Sequence, residues 1–183
     1  MICDEGVGLR HVLEEDLELL ARWRNDRLTH SMFYSPFLMS DAALQNWYRA
    51  LLGNPDRMRF MIERLEDKAT IGIIGFEHIN YRNQEAELAG LVIDLAERGR
   101  GWGVKAIGTM VRYAFEDLNL HRLYARIYGS NRAARRVAEK AGLIYEGQLR
   151  QSVYHNWGYE DVIYMSILRE EWKHGQRSDG SAE

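Results

Sequence analysis

The sequence predicts an α+β fold: a mixed, mostly antiparallel central sheet of about seven strands with four helices and one βαβ unit. Three observations predict it. Residues 59–94 hold β-branched, apolar segments separated by turn residues, the pattern of an antiparallel meander. Between residues 104 and 141 two helical apolar faces flank one strand. The chain has 183 residues, 46% hydrophobic and 28% charged, enough to bury one core without a disulfide or structural metal. One domain over residues 1–174 and a small, polar, flexible tail over 175–183 are expected.

The elements follow in order. Gly8–Val12 reads as a short strand, and Leu13, Leu17, Leu20, Ala21 and Arg24 as a helix face with Glu14, Glu15 and Asp16 in its first turn. Ser40 caps a second helix whose apolar face is Leu44, Trp47, Tyr48 and Leu51, stopped by Gly53-Asn54-Pro55. Strands are expected at Arg59–Glu63, Thr70–Ile79 and Glu85–Asp94, with turns at Glu66-Asp67-Lys68 and Asn80–Asn83. Val104, Ile107, Val111, Ala114, Phe115 and Leu118 form one face of a third helix, and Arg122–Tyr128 is a strand. Asn131 caps a fourth helix, with Ala134, Val137, Ala138 and Ala141 inward and Gly142 at its end. Leu143–His155 and Glu160–Leu168 complete the sheet.

Composition narrows the function. No apolar run reaches the ~20 residues that span a bilayer. The start Met1-Ile2-Cys3-Asp4-Glu5-Gly6 lacks the features of a secretory signal, so a cytoplasmic protein with no membrane partner is expected. Cys3 is the single cysteine, sits in a terminus expected to be mobile, and is a poor nucleophile candidate. The six His are scattered without carboxylate or Cys partners at ligand spacing, so no metal is expected. Net charge is −3 but unevenly spread: ten Lys/Arg against seventeen Asp/Glu in residues 1–97, ten against three in 98–140, four against seven in 141–183. A basic stretch of this size suits a small polyanion, not a nucleic acid.

That stretch opens with Arg98-Gly99-Arg100-Gly101-Trp102-Gly103, between a strand and a helix. Alternating glycines let backbone amides approach a ligand, and the helix start points free N–H groups at the same place. The combination is an anion site for phosphate or pyrophosphate, with Arg98 and Arg100 adding mobile positive charge. A Walker loop is disfavoured because Val104, not Lys, follows Gly103. A dinucleotide fold is disfavoured because the loop follows antiparallel strands, not the first strand of a parallel sheet.

Arg98-x-x-Gly101-x-Gly103, taken with the run from Asn131-Arg132-Ala133-Ala134 through Glu139-Lys140-Ala141-Gly142 to Gly147, resembles the GNAT superfamily of N-acetyltransferases. Asp117–Leu123, Gly158-Tyr159-Glu160-Asp161 and Ile167–Trp172 resemble its branch of ribosomal-protein N-terminal, spermidine and amino-sugar acetyltransferases. The resemblance covers about residues 8–172 and is not specific for the acceptor. It implies acetyl-CoA as cosubstrate and a strand splayed away from its neighbour before the loop. The backbone of Val92 and Ile93 would pair with the pantetheine arm. The amides of Gly99, Arg100, Gly101, Trp102, Gly103 and Val104 would hold the pyrophosphate, and Asn131 would contact the cosubstrate. Arg135 or Arg136 would reach the 3′-phosphate, or either is a solvated surface residue. Relatives often pair, so the resemblance also allows a homodimer.

One position departs from the family pattern. Many relatives carry a Tyr seven residues after the Asn to protonate the departing thiolate; here Ala138 stands there. A thiol with pKa near ~8.5 is a tolerable leaving group, and water, Ser130 or Tyr128 could supply the proton. The attacking amine must lose a proton to a base. Glu87 is the first candidate because its strand borders the splay, then Glu77 and His78, then His155. Strict alternation would keep Glu77 and His78 from facing the site together. Trp23, Asn25, Phe33 and Tyr34 are candidates for the acceptor pocket, or a cover for the core. The expected activity is transfer of acetyl to a primary amine in a ternary complex, with an amino sugar or related small molecule as leading acceptor. A protein N-terminal amine and a non-catalytic acyl-CoA-binding module are the alternatives.

Overall fold

Two neighbouring strands, β3 (Met58–Arg64) and β4 (Thr70–Asn80), alternate so that both of their faces are apolar, and the architecture follows from covering both. The computed structural model describes residues 1–4, 6–30, 38–155 and 157–172, with the backbone alone for His30. Phe60, Ile62, Ile74 and Phe76 join one core with Ala106, Ile107, Met110, Val111, Ala114 and Phe115 of α4 (Trp102–Glu116). Met61 and Ile73 point the other way. They join a second core with Leu17, Leu20 and Trp23 of α1 (Leu17–Asn25) and Leu44 of α3 (Asp41–Leu51).

Among the described residues the sheet has eight strands where about seven were expected: β1 (Ile2–Asp4), β2 (Val7–His11), β3, β4, β5 (Glu85–Ile93), β6 (Arg122–Tyr128), β7 (Ile144–His155) and β8 (Gly158–Leu168). Their order is β1-β2-β3-β4-β5-β6-β8-β7, antiparallel throughout except for β5 and β6. Helix α4 crosses over between those two strands and forms the expected βαβ unit. The additional strand is β1, too short for a period-2 signal. It pairs Ile2↔Leu9 and Asp4↔Val7, and Arg112 Nε holds Asp4 at 2.9 Å. Cys3 therefore lies in a paired strand, exposed, and not in a loose terminus.

The helices follow their sequence signals, with a four-residue α2 (Arg27–His30) added. Ser40 Oγ accepts from the Ala43 amide at 3.2 Å and starts α3. Asn131 Oδ1 accepts from the Ala134 amide at 3.0 Å and starts α5 (Arg132–Lys140). Helix α1 begins later than Leu13, after a 3-10 turn over Glu14–Asp16. Asp16 is buried there as the partner of Arg10, at 2.6 and 2.8 Å, instead of resting on the helix dipole. The tail expected at 175–183 lies outside the described residues.

Candidate active site

The parallel pairing of β5 with β6 stops early. It runs Glu85↔Arg122, Ala86↔Leu123 and Glu87↔Tyr124, and beyond Glu87 no ladder joins the strands. The opening is a cleft of about 170 Å³ between Leu88–Val92 of β5 and Ala125–Tyr128 of β6. Asn131, Ala134 and Ala138 of α5 close one side. A bulge widens it. Ile73 pairs with Val92 but Gly75 with Ala89, so β5 carries an extra residue, with Gly90 at φ +68°.

The glycine loop lies past the end of β5. Gly101, at φ +84°, caps α4, its carbonyl accepting from Val104 and Lys105 at 3.0 and 3.2 Å. A Cβ added at Gly99 or Gly101 would meet nothing within 4 Å, so the Cα atoms of both glycines border open space. That arrangement fits a pyrophosphate approaching the backbone of a helix start. Gly103 serves packing: its Cα faces Val137 of α5, 3.2 Å from where a Cβ would be.

A second cavity, about 670 Å³, adjoins the first and shares Glu87, Ala89, Gly90, Val92 and Arg126 with it. Leu20, Trp23, Leu44 and Trp47 give it an apolar wall. Its other wall is charged. Glu77 and Glu87 sit directly opposite one another on β4 and β5. Like charges at that spacing repel, and each is compensated by arginines. Glu77 is held by Arg59 and, at 2.6 Å, by Arg57. Glu87 is 3% exposed and takes both Nε and Nη2 of Arg126, at 2.9 and 2.7 Å. Arg126 reaches it because Tyr124, the register partner of Glu87, lies two residues earlier on the same face of β6.

His78 completes the group. Its Nδ1 lies 3.0 Å from Glu87 Oε2. Strict alternation would turn it away, but the β4–β5 register slips between Glu77 and Asn80, and His78 takes φ +51°. The bulge thus brings Glu77 and His78 to the same cavity, correcting the expectation that only one could face it. A non-glycine residue in left-handed backbone is a stored strain of the kind found at functional sites. An ionised carboxylate can only accept, so the proton of neutral His78 belongs on Nδ1 and the Nε2 lone pair is free to act.

The acetyltransferase (GNAT) domain model matches residues 7–144. The chain belongs to the GNAT acetyltransferase family. It is an acetyl-CoA-dependent N-acetyltransferase. It is 28% identical to the spermidine N(1)-acetyltransferase of Vibrio cholerae over 164 residues, 90% of this chain and 94% of that one. It is 30% identical to the ribosomal-protein-serine acetyltransferase of Escherichia coli over 110 residues, 60% of each chain. A crystal structure of the Vibrio cholerae spermidine N-acetyltransferase with CoA and spermine superposes with TM-score 0.85 at 28% identity, covering 92% of this chain and 98% of that one.

In this GNAT chain the residues expected at the cosubstrate divide by place. Val92 and Asn131 line the cleft, whereas Ile93 does not; its carbonyl accepts from Arg98 Nε at 3.1 Å. Arg98 also bonds Thr29 Oγ1 at 3.1 Å, so it staples the loop to α2 and is not the mobile charge expected. Arg100 is largely exposed, 3.4 Å from Glu97. Trp102 donates its Nε1–H to Glu97 at 3.1 Å, with the Lys105 ammonium 5.1 Å over its ring. Arg135 is taken by Glu139 at 2.9 Å and lies over Tyr145, while Arg136 is exposed and makes no ion pair among the described residues.

The proton-handling candidates divide as well. Glu77, His78 and Glu87 share the second cavity, and Tyr128 lines the cleft across from Ala138. His155 lines neither cavity; it stacks on Tyr128 with ring centroids 4.0 Å apart and turns Nδ1 to Glu160. Ser130 is exposed, its amide bonded to Glu160 at 3.0 Å. Burial raises the Glu160 carboxyl, but the bonds from Ser130 and His155 outweigh it and leave it below the ordinary value. Trp23 is buried in the apolar wall of the second cavity, its Nε1–H on Asp94 at 2.7 Å. Asn25 is exposed and clamps Met39, a wall residue, through two bonds of 2.8 and 2.9 Å. Phe33 and Tyr34 lie outside the described residues.

Sequence reasoning missed the arginines. Arg24, Arg57, Arg59 and Arg126 all line the second cavity. Burial pushes Arg24 and Arg59 below the ordinary guanidinium value; Tyr128 opposes this at Arg24 and Glu77 at Arg59. A signal was available. Arg122-x-Tyr124-x-Arg126-x-Tyr128 repeats at period 2, which sets the series on one face of β6, and Arg57-x-Arg59 has the same spacing at the start of β3.

Proposed function

We propose that this acetyltransferase acts on the primary amine of a small molecule, with His78 as general base and Glu87 as the residue that positions it. One observation carries the reading: the cosubstrate cleft and a deep, partly apolar cavity meet at Glu87 and Arg126, with the imidazole of His78 bonded to Glu87. A walled cavity suits a small acceptor, such as an amino sugar or related amine, better than the end of a folded protein. The Vibrio cholerae relative, a spermidine acetyltransferase, supports a small amine.

In the reaction the amine nitrogen bonds to the thioester carbonyl carbon, its proton passes to His78 Nε2, and the C–S bond breaks. Glu87 holds the imidazole in the required tautomer and stabilises its protonated form, with Arg126 fixing the carboxylate in turn. Tyr128 is our candidate to protonate the thiolate, since it borders the cleft where Ala138 offers no hydroxyl. Arg136 is our candidate for the 3′-phosphate, since Arg135 is engaged with Glu139. We place the protein in the cytoplasm, where its acetyl donor is made and used. We expect a self-associated form, as the Vibrio cholerae relative has a dodecameric structure; light scattering measures it.

The test is thiol release from acetyl-CoA against a panel of small amines and Ala- or Ser-starting peptides. Release with small amines alone supports the reading, and release with peptides alone overturns it. Gly101→Val provides the cosubstrate arm. It forces a β-branched residue into left-handed backbone at open space, so acetyl-CoA affinity falls at least about tenfold while the fold survives.

A further inference from the structure

The acceptor cavity is cationic. Its lining includes four guanidiniums, Arg24, Arg57, Arg59 and Arg126, against the two carboxylates of Glu77 and Glu87. The adjoining hollows add Asp56, Glu85 and Arg122, and the positive surplus persists. Arg57 stands out within the set. Its Nε is on Glu77 at 2.6 Å, and its two terminal nitrogens make no hydrogen bond among the described residues. Its side chain is 35% exposed at the cavity edge. Arg59, by contrast, is committed to Glu77 and to the carbonyls of Met58 and Phe76.

We infer that the acceptor is an amine that also bears an anionic group, a carboxylate or a phosphate, with Arg57 receiving the anion and the tryptophan wall receiving an apolar or ring-shaped body. The inference rests on the small-molecule acetyltransferase reading of the same cavity. Paired N–H groups of a guanidinium match two oxygens of a carboxylate or phosphate. The positive surplus also acts on the reacting end: it disfavours an ammonium, so the amine loses its blocking proton more readily. The same field opposes a polycation, so spermidine, the acceptor named for the Vibrio cholerae relative, is a poor acceptor here.

The experiment uses matched pairs with the full-length protein and acetyl-CoA: phenylalanine against phenethylamine, glucosamine 6-phosphate against glucosamine, and spermidine as the polycation. In at least one pair the anionic member should exceed its neutral partner in kcat/KM by about 10- to 100-fold, the range of a charge-assisted hydrogen bond. Which pair responds tells carboxylate from phosphate. Arg57→Gln should shrink the ratio to within about threefold, through KM, and Arg57→Lys should restore part of it. A preference for the neutral members or for spermidine overturns the anionic acceptor while leaving acetyl transfer to small amines standing. If no amine is acetylated, that reading fails, and thermal shifts with CoA plus each amine decide the inference separately. A rise in Tm with anionic members alone supports it, and equal or absent rises overturn it.

Discussion

Replacing Glu87 with Gln tests the centre of the site. The carboxylate is 3% exposed and accepts from Arg126 twice, at 2.9 and 2.7 Å, and from His78 at 3.0 Å. A Gln keeps one acceptor oxygen and turns an NH₂ toward groups that are themselves donors. Removing one partner of a buried ion pair costs about 3–5 kcal/mol. The Arg126 side chain is 36% exposed, so water takes up part of its charge, and we expect about 2–3 kcal/mol here. For a chain of this length that lowers Tm by about 4–12 °C. The rate should fall further than stability explains. Without its carboxylate partner the imidazole loses tautomer and aim, and a positioned base is worth about 10²- to 10⁴-fold. We expect kcat to drop at least about 100-fold in thiol release measured well below Tm, with acetyl-CoA affinity nearly unchanged. His78→Asn is the companion. Asn tolerates left-handed backbone and cannot take the proton, and the side chain is 63% exposed, so activity should be lost with little change in Tm. Glu87→Gln with near-parental kcat would refute the reasoning. Loss in Glu87→Gln but not in His78→Asn would make Glu87 itself the base.

Two stability predictions accompany it. Gly90→Ala should destabilise by about 2 kcal/mol in urea unfolding, because φ is +68° and the new Cβ would stand 3.1–3.2 Å from the pinned Arg59 guanidinium, whereas Gly108→Ala in α4, with nothing within 4 Å, should stabilise by about 0.5–1 kcal/mol. Glu160 sits below its ordinary carboxyl value of 4.5, so its contribution is present at neutral pH and lost as pH falls from about that value through its lowered one; the stability gap between parent and Glu160→Gln should therefore be widest near pH 7 and close on acidification.

Much of the fold was legible because its signals are local. Period-2 alternation marks β3, a β-branched apolar run marks β4, period-3.6 faces mark α3, α4 and α5, and Ser40 and Asn131 cap where capping side chains should. Strand β1 escaped because three residues carry no period; register with β2 and the reach of Arg112 across more than a hundred residues fix it.

For the site, the sequence by itself determined the glycine loop, the Asn131 cap and the missing hydroxyl at Ala138, because a glycine turn and a helix cap are each made by a few consecutive residues. It placed Glu77, His78 and Glu87 on neighbouring strands. Only the tertiary structure decided that they share a cavity, because one slipped register between Glu77 and Asn80 reverses the direction of a side chain, and alternation alone cannot register a bulge. The charge of that cavity was likewise settled in three dimensions. Residues 1–97 are acidic in sum, yet the cavity collects Arg24, Arg57 and Arg59 from that same stretch and Arg126 from β6, because local field depends on which side chains the fold turns inward and not on how many the chain contains.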